Sequence, residues 1–219
     1  MKEELVLFSG GVDSTVLLKY LLKDTNKLIR VVYNKLGYDN LSQARLKQQN
    51  SASKSILKYM FNNYRSFEYT SMDINFSFQR GYYHDWRDDQ WNCFLAGIIC
   101  KKYKIENVWM GAFTHHVIYK DLKKLPRASQ YFDGSLEKIL NMGFFLENEN
   151  NKKFILKLNF PRHFNGKKID NFKTKKEAYD YLEPQLQKLV RSCEGTEFFC
   201  RKCHKCKLFL EFGMGPKND

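Results

Sequence analysis

At 219 residues with 43% hydrophobic content, the chain is sized for one domain with a sizeable core and at most a small appendage. No charged-then-apolar leader precedes Leu5 and no apolar run approaches about 20 residues, so the expectation is a cytoplasmic chain that is neither secreted nor membrane-spanning. The formal net charge of +13 is uneven, with 13 Lys and Arg against 10 Asp and Glu in residues 1–100 and 24 against 14 in residues 101–219, an excess that marks a nucleic-acid face or a basic surface serving an anionic ligand.

Leu5, Val6, Leu7 and Phe8 run straight into Ser9, Gly10 and Gly11 and then into a helical pattern from Val12. This reads as a buried strand, a tight turn and the first turn of a helix. Gly10 and Gly11 can adopt positive φ and let backbone N–H groups converge, while the helix that follows presents its orphan donors and the positive end of its dipole. Ser9, Ser14 and Thr15 add hydroxyls, so the stretch is a candidate phosphate seat. Neither the Walker spacing nor the dinucleotide Gly-x-Gly-x-x-Gly spacing is present.

The helix continues on an apolar face through Val16, Leu17, Leu18, Leu21 and Leu22 and ends near residues 23–26. Residues 28–33 read as a second strand, which makes the first crossover parallel and right-handed. A nucleotide would then lie across the carboxyl ends of the strands. Residues 41–62 are polar but helical, with Ala44, Leu46, Ile56, Leu57, Tyr59 and Met60 as a buried stripe, and residues 67–74 alternate as a third strand. Residues 75–89 form a loop rich in aromatics and charges, either a substrate-facing lid or a loop packed on the core.

An amphipathic helix follows over residues 90–103, with Cys93 and Cys100 as buried small hydrophobes. The fourth strand, residues 107–111, ends in Gly111, where a ligand or backbone can approach closely. Past that strand end, His115 and His116 suggest proton transfer or substrate binding, although adjacent histidines rarely point the same way, which disfavours a joint metal site. Residues 154–160 read as an edge strand stopped by Pro161. Residues 174–190 read as a charged helix that Pro184 bends or splits.

Cys193, Cys200, Cys203 and Cys206 gather four of the six cysteines in a Cys-x6-Cys-x2-Cys-x2-Cys pattern. In a cytosolic chain this reads as metal ligation before disulfides, with a closed tetrahedral zinc site pinning a tail too small to fold alone. His204 could replace one ligand. Cys-x2-Cys-x2-Cys is also a core spacing of iron–sulfur ligation, but the Cys-x3-Cys-Pro continuation is missing, so zinc is favoured.

Ser9-Gly10-Gly11-Val12-Asp13-Ser14 resembles the pyrophosphate-loop signature of enzymes that cut ATP between its α- and β-phosphates to adenylate a substrate. With the cysteine tail, with Tyr33 and Asn34 at the end of the second strand, and with Phe212 and Gly213 after Cys206, the chain is similar to the 7-cyano-7-deazaguanine synthase family, or to a divergent relative of it. The resemblance covers the two ends and the spacing between them. It implies a three-layer α/β fold, a parallel sheet with helices on both faces of the adenine nucleotide alpha hydrolase type. The ATP-binding domain would span residues 1–190 and the four-cysteine zinc segment residues 191–219.

The implied activity is an ATP-dependent ligase that adenylates 7-carboxy-7-deazaguanine, lets ammonia form the amide, then adenylates the amide and expels AMP to leave the nitrile. Implied ligands are ATP, Mg²⁺ and Zn²⁺. Asp13 and Ser14 would be catalytic, and Ser9, Gly10, Gly11, Asp13, Ser14, Thr15, Tyr33, Asn34 and Gly111 would hold the nucleotide. His116, Tyr119 and Asp121 stand where the family faces its substrate, but there and at Gln90-Trp91-Asn92 the chain departs from the family's pattern. A variant that stops at the amide or joins another amine therefore stays open. So do a tRNA-modifying pyrophosphate-loop enzyme such as a thiolase, and a non-catalytic nucleotide-binding zinc protein. A nucleic-acid or protein partner for the basic second half and assembly as a homodimer are also open.

Overall fold

The computed structural model describes residues 2–38, 43–76, 88–111, 135–145, 156–159, 175–190, 199–211 and 213–214. Five strands form one parallel sheet in the order β3-β2-β1-β4-β5, where β1 is Glu3–Leu7, β2 Leu28–Tyr38, β3 Glu68–Phe76, β4 Asn107–Met110 and β5 Lys157–Asn159. Between and after them come α1 (Val12–Asp24), α2 (Gln43–Asn63), α3 (Asp88–Tyr103), α4 (Ser135–Phe145), α5 (Lys175–Asp180), α6 (Pro184–Leu189) and α7 (His204–Glu211).

Side-chain alternation along β1 feeds two separate cores. Val6 and Phe8 pack with α1, α2, α5, α6 and α7 through Leu17, Leu21, Ile56, Met60, Ala178, Leu186 and Phe209. Leu5 and Leu7 pack on the other face with α3 and α4 through Cys93, Ala96, Ile99, Leu136 and Leu140. The expected parallel sheet with helices on both faces is thus the fold observed.

Two glycines govern the second face. A Cβ on Gly97 would stand 2.1 Å from the Leu140 carbonyl oxygen, and one on Gly143 would stand 2.0 Å from the Phe94 carbonyl oxygen. Helices α3 and α4 therefore meet backbone to backbone. Helix α4 was not among the elements expected from the sequence, although Leu136 and Leu140 lie one helical turn apart and both are buried.

Strand β2 continues to Tyr38 rather than ending at Tyr33, because β3 runs alongside and pairs Lys35 with Asp73 through to Tyr38 with Phe76. Lys35 and Gly37 interrupt its apolar pattern, so the pairing with β3 carries it past the expected end. Pro184 splits the expected helix over 174–190. Asp180 ends α5, Glu183 is extended at φ −62° and ψ 152°, and Pro184 opens α6 at its first turn, where a missing N–H costs nothing. Of the expected edge strand over 154–160, β5 occupies 157–159 and pairs on β4. The loop expected over 75–89 begins later than anticipated, since residues 75 and 76 belong to β3 and residues 88 and 89 to α3, and its remainder lies outside the described residues.

Candidate functional site

In this strand order β1 is flanked by β2 on one side and β4 on the other, with α1 covering one face and α3 the other. Its carboxyl end is therefore the place where crossovers diverge and a crevice opens. Residues 9–11 cross that crevice. Gly10 sits at φ +73°, a left-handed conformation that β-carbon sterics disfavour in other residues. Gly11 is extended and precedes α1, and among the described residues no side chain caps the helix, so it presents its first-turn amides to the crevice.

The loop's hydroxyls bond one another. Ser9 N–H donates to Ser14 Oγ at 3.2 Å, the two serine hydroxyls lie 3.1 Å apart, and Gly11 N–H reaches Ser9 Oγ at 3.4 Å. These are long hydrogen bonds, which an incoming charged oxygen can replace with shorter ones. Thr15 is different. It is fully buried, and both its N–H, at 3.0 Å, and its hydroxyl, at 2.7 Å, donate to the Gly11 carbonyl. Thr15 braces the loop from inside, whereas Ser9 is exposed and Ser14 lies at the loop's inner side.

Gly111 serves the loop in another way. A Cβ there would stand 2.5 Å from both the N and the Cα of Ser14 and 2.7 Å from the carbonyl carbon of Asp13. The end of β4 thus packs against the backbone of the first turn of α1 and sets its position. At the end of β2, Tyr33 is buried and its hydroxyl donates to Asn50 Oδ1 of α2 at 2.7 Å. Asn34 is buried on the opposite face and donates from Nδ2 to Asn92 Oδ1 of α3 at 2.8 Å. Both site candidates on β2 are therefore held by helices on either side of the sheet. Sequence reasoning passed over Asn50 and Ser53, and polar residues inside a polar helix gave no signal for them.

In the tail, the sulfurs of Cys200, Cys203 and Cys206 lie within 4.8 Å of one another. Cys200 and Cys206 are 3.9 Å apart, and the N–H groups of Cys203 and Cys206 point at the sulfurs of Cys200 and Cys203 at 3.3 and 3.4 Å. Arg201, at φ +57°, makes the turn that folds the first two onto each other. Converging thiols with main-chain donors on their sulfurs fit a soft metal ion. Cys193 lies outside the described residues, as do His115, His116, Tyr119 and Asp121. The two remaining cysteines are buried as expected; burial pushes the Cys100 thiol up to about 12, with Glu3 adding to it, and pushes that of Cys93 up as well, with Asp89 adding. Neither is poised as a nucleophile.

No protein-family model and no curated protein sequence matches the chain. Among solved structures it is similar to the U34-tRNA thiolase NcsA of Methanococcus maripaludis, solved with its 4Fe-4S cluster. That similarity covers 100% of this chain and 83% of the thiolase at 12% identity, with a TM-score of 0.42. Among the described residues no helix is long and apolar enough to cross a membrane.

Proposed function

We propose that the chain is an ATP-dependent adenylating ligase of the pyrophosphate-loop type, acting on the carboxylate of 7-carboxy-7-deazaguanine with ammonia as the nitrogen donor. The observation that carries this reading is the loop itself. It combines positive φ at Gly10, an uncapped α1 and two serine hydroxyls at the strand end where the crossovers diverge. Such an arrangement suits a group whose negative charge grows as it leaves, which is what pyrophosphate does during adenylation.

The carboxylate oxygen attacks the α-phosphorus of ATP and pyrophosphate departs. Ammonia then attacks the acyl carbon, loses a proton and expels AMP, leaving the amide. The amide oxygen then attacks the α-phosphorus of a second ATP, expelling a second pyrophosphate, and loss of AMP with the two N–H protons leaves the nitrile. Ser9, Ser14 and the amides of residues 10–14 would receive the departing pyrophosphate. Asp13, in the first turn of α1, would hold Mg²⁺, which supplies charge neutralisation to the phosphates. Cys200, Cys203 and Cys206, completed by Cys193, would hold a structural zinc. His116, Tyr119 and Asp121 are the proposed substrate contacts.

The test is purified protein with ATP, Mg²⁺, ammonium and 7-carboxy-7-deazaguanine, following AMP and the purine by mass. Release of AMP with nitrile supports the reading. AMP with amide only shortens the reaction, and no AMP removes the ligase. A second reading, a tRNA-modifying enzyme carrying an iron–sulfur cluster, is favoured by the three converging sulfurs and by the +10 of residues 101–219. It predicts visible absorbance after anaerobic purification and tRNA affinity that falls steeply with salt.

A further inference from the structure

Helix α2 meets the loop at Ser53. Ser53 is 1% exposed, and its Oγ is buried with no hydrogen-bond partner among the described residues. That oxygen stands 2.5 Å from where a Cβ of Gly10 would be, with the Ser53 Cα at 3.4 Å. The hydroxyl of Ser53 thus fills the place of the side chain that residue 10 lacks, next to a loop whose Ser9, Gly11 and Ser14 bond one another. Leaving a hydroxyl buried and unpaired is costly, so an atom of this kind calls for an account. It is not isolated. Asn34 Oδ1 at the end of β2 and Gln48 Oε1 in the N-terminal half of α2 are also buried without partners among the described residues, and both elements lead to the same end of the sheet.

We propose that Ser53 belongs to the anion seat: once a polyphosphate displaces the bonds among the loop serines and Gly10 shifts, the Ser53 hydroxyl donates to an oxygen of the leaving pyrophosphate unit. This rests on the nucleotide-binding reading of residues 9–15 and adds a donor from a different helix. It also explains why residue 10 must be glycine on two grounds, its φ and the oxygen that occupies its side-chain position. The ligand class is a magnesium-bound di- or triphosphate, because Ser53 meets the chain at Gly10, within the stretch 9–15 read as the phosphate seat.

The experiment compares wild type with Ser53→Ala by calorimetric titration of Mg-ATP, Mg-pyrophosphate and AMP, together with thermal unfolding of the unliganded proteins. The expected result is a loss of about ten- to hundredfold in affinity for ATP and pyrophosphate, unchanged AMP binding, and an unliganded melting temperature equal to or above that of wild type, since an unpaired hydroxyl has been removed. Ser53→Cys, nearly isosteric and a poor donor, gives the same reading if the alanine variant is insoluble. Wild-type uptake of ATP with equal affinity in both variants overturns the role of Ser53 alone. A melting temperature that falls with ligand affinity overturns it too, because that marks a packing role. Absence of ATP and pyrophosphate uptake by wild type overturns the nucleotide site and this proposal together.

Discussion

Gly10 and Gly111 are the residues at which a single methyl group should cost most. Gly10→Ala forces a β-carbon into a left-handed conformation, about 1–2 kcal/mol by itself, and drives it against Ser53 Oγ, 2.5 Å away. Gly111→Ala meets backbone atoms of Ser14, which cannot rotate aside, so it should cost about 1–3 kcal/mol as overpacking. Denaturant midpoints measure both losses. The Gly111 variant should also lose ATP uptake while folded, because the first turn of α1 is displaced; retention of wild-type affinity would show that β4 does not set the loop. Ser14→Ala should leave stability within about 1 kcal/mol, since its bonds at 3.1–3.2 Å are long, and should lower ATP affinity in the same titration. The glycines and serines were legible in the sequence because their spacing is short and follows a strand. A close approach at Gly111 was legible too, but its partner Ser14 belongs to an element distant in the chain and was not.

Between elements, the C-terminal segment is latched to α1. Lys19, in the middle of α1, is buried, donates to the Tyr181 carbonyl oxygen, pairs with Glu183 at 2.9 Å and lies 4.0 Å from the centre of the Tyr181 ring. Tyr64, just past α2, donates to the same carboxylate at 2.6 Å. Next to it, Arg65 donates to the carbonyls of Leu21 and Leu22 at 2.9 and 3.0 Å and so caps the end of α1. Burial pushes the Glu183 carboxyl up, but the hydrogen bonds from Tyr64 and Lys19 outweigh it and hold it below its ordinary value. A lowered folded value stabilises above the ordinary glutamate range, about 4.3, and that contribution is lost as the pH falls through the folded value. Wild type should therefore lose more stability than Glu183→Gln on acidification below about pH 4, read from denaturant midpoints across pH; parallel curves would remove Glu183 from acid sensitivity. Glu183→Ala, which leaves Lys19 buried without its carboxylate, should cost about 3 kcal/mol, the low end for a broken buried pair, because 35% of the Glu183 side chain is exposed. None of this latch was visible beforehand, since neither Lys19 nor Glu183 belongs to a motif or spacing that the sequence displays. The succession of strands along the chain and the first three helices were visible, because apolar periodicity needs no partner, whereas the sheet order was not, and α4 depends on a glycine contact with α3 that periodicity does not report.

For the molecule as a whole, the division into two cores places the anion loop and the cysteines on the same side of the sheet. Cys206, Phe209 and Met214 are buried, and the last two join the core that holds Val12, Val16 and Leu17 of α1. Chelation, or Cys206→Ala, should lower the melting temperature by about 5–10 °C, equivalent to roughly 2.7 kcal/mol for a metal present at a hundred times its dissociation constant. An unchanged melting curve would assign the cysteines no metal. Because affinity coupling is reciprocal, the shared core has an uneven consequence across the sheet. Hydrogen exchange of the metal-loaded protein should slow the amides of α1, α2 and α7 together, while those of α3 and α4, zipped to each other through Gly97 and Gly143 on the far side, keep the tempo they had without it.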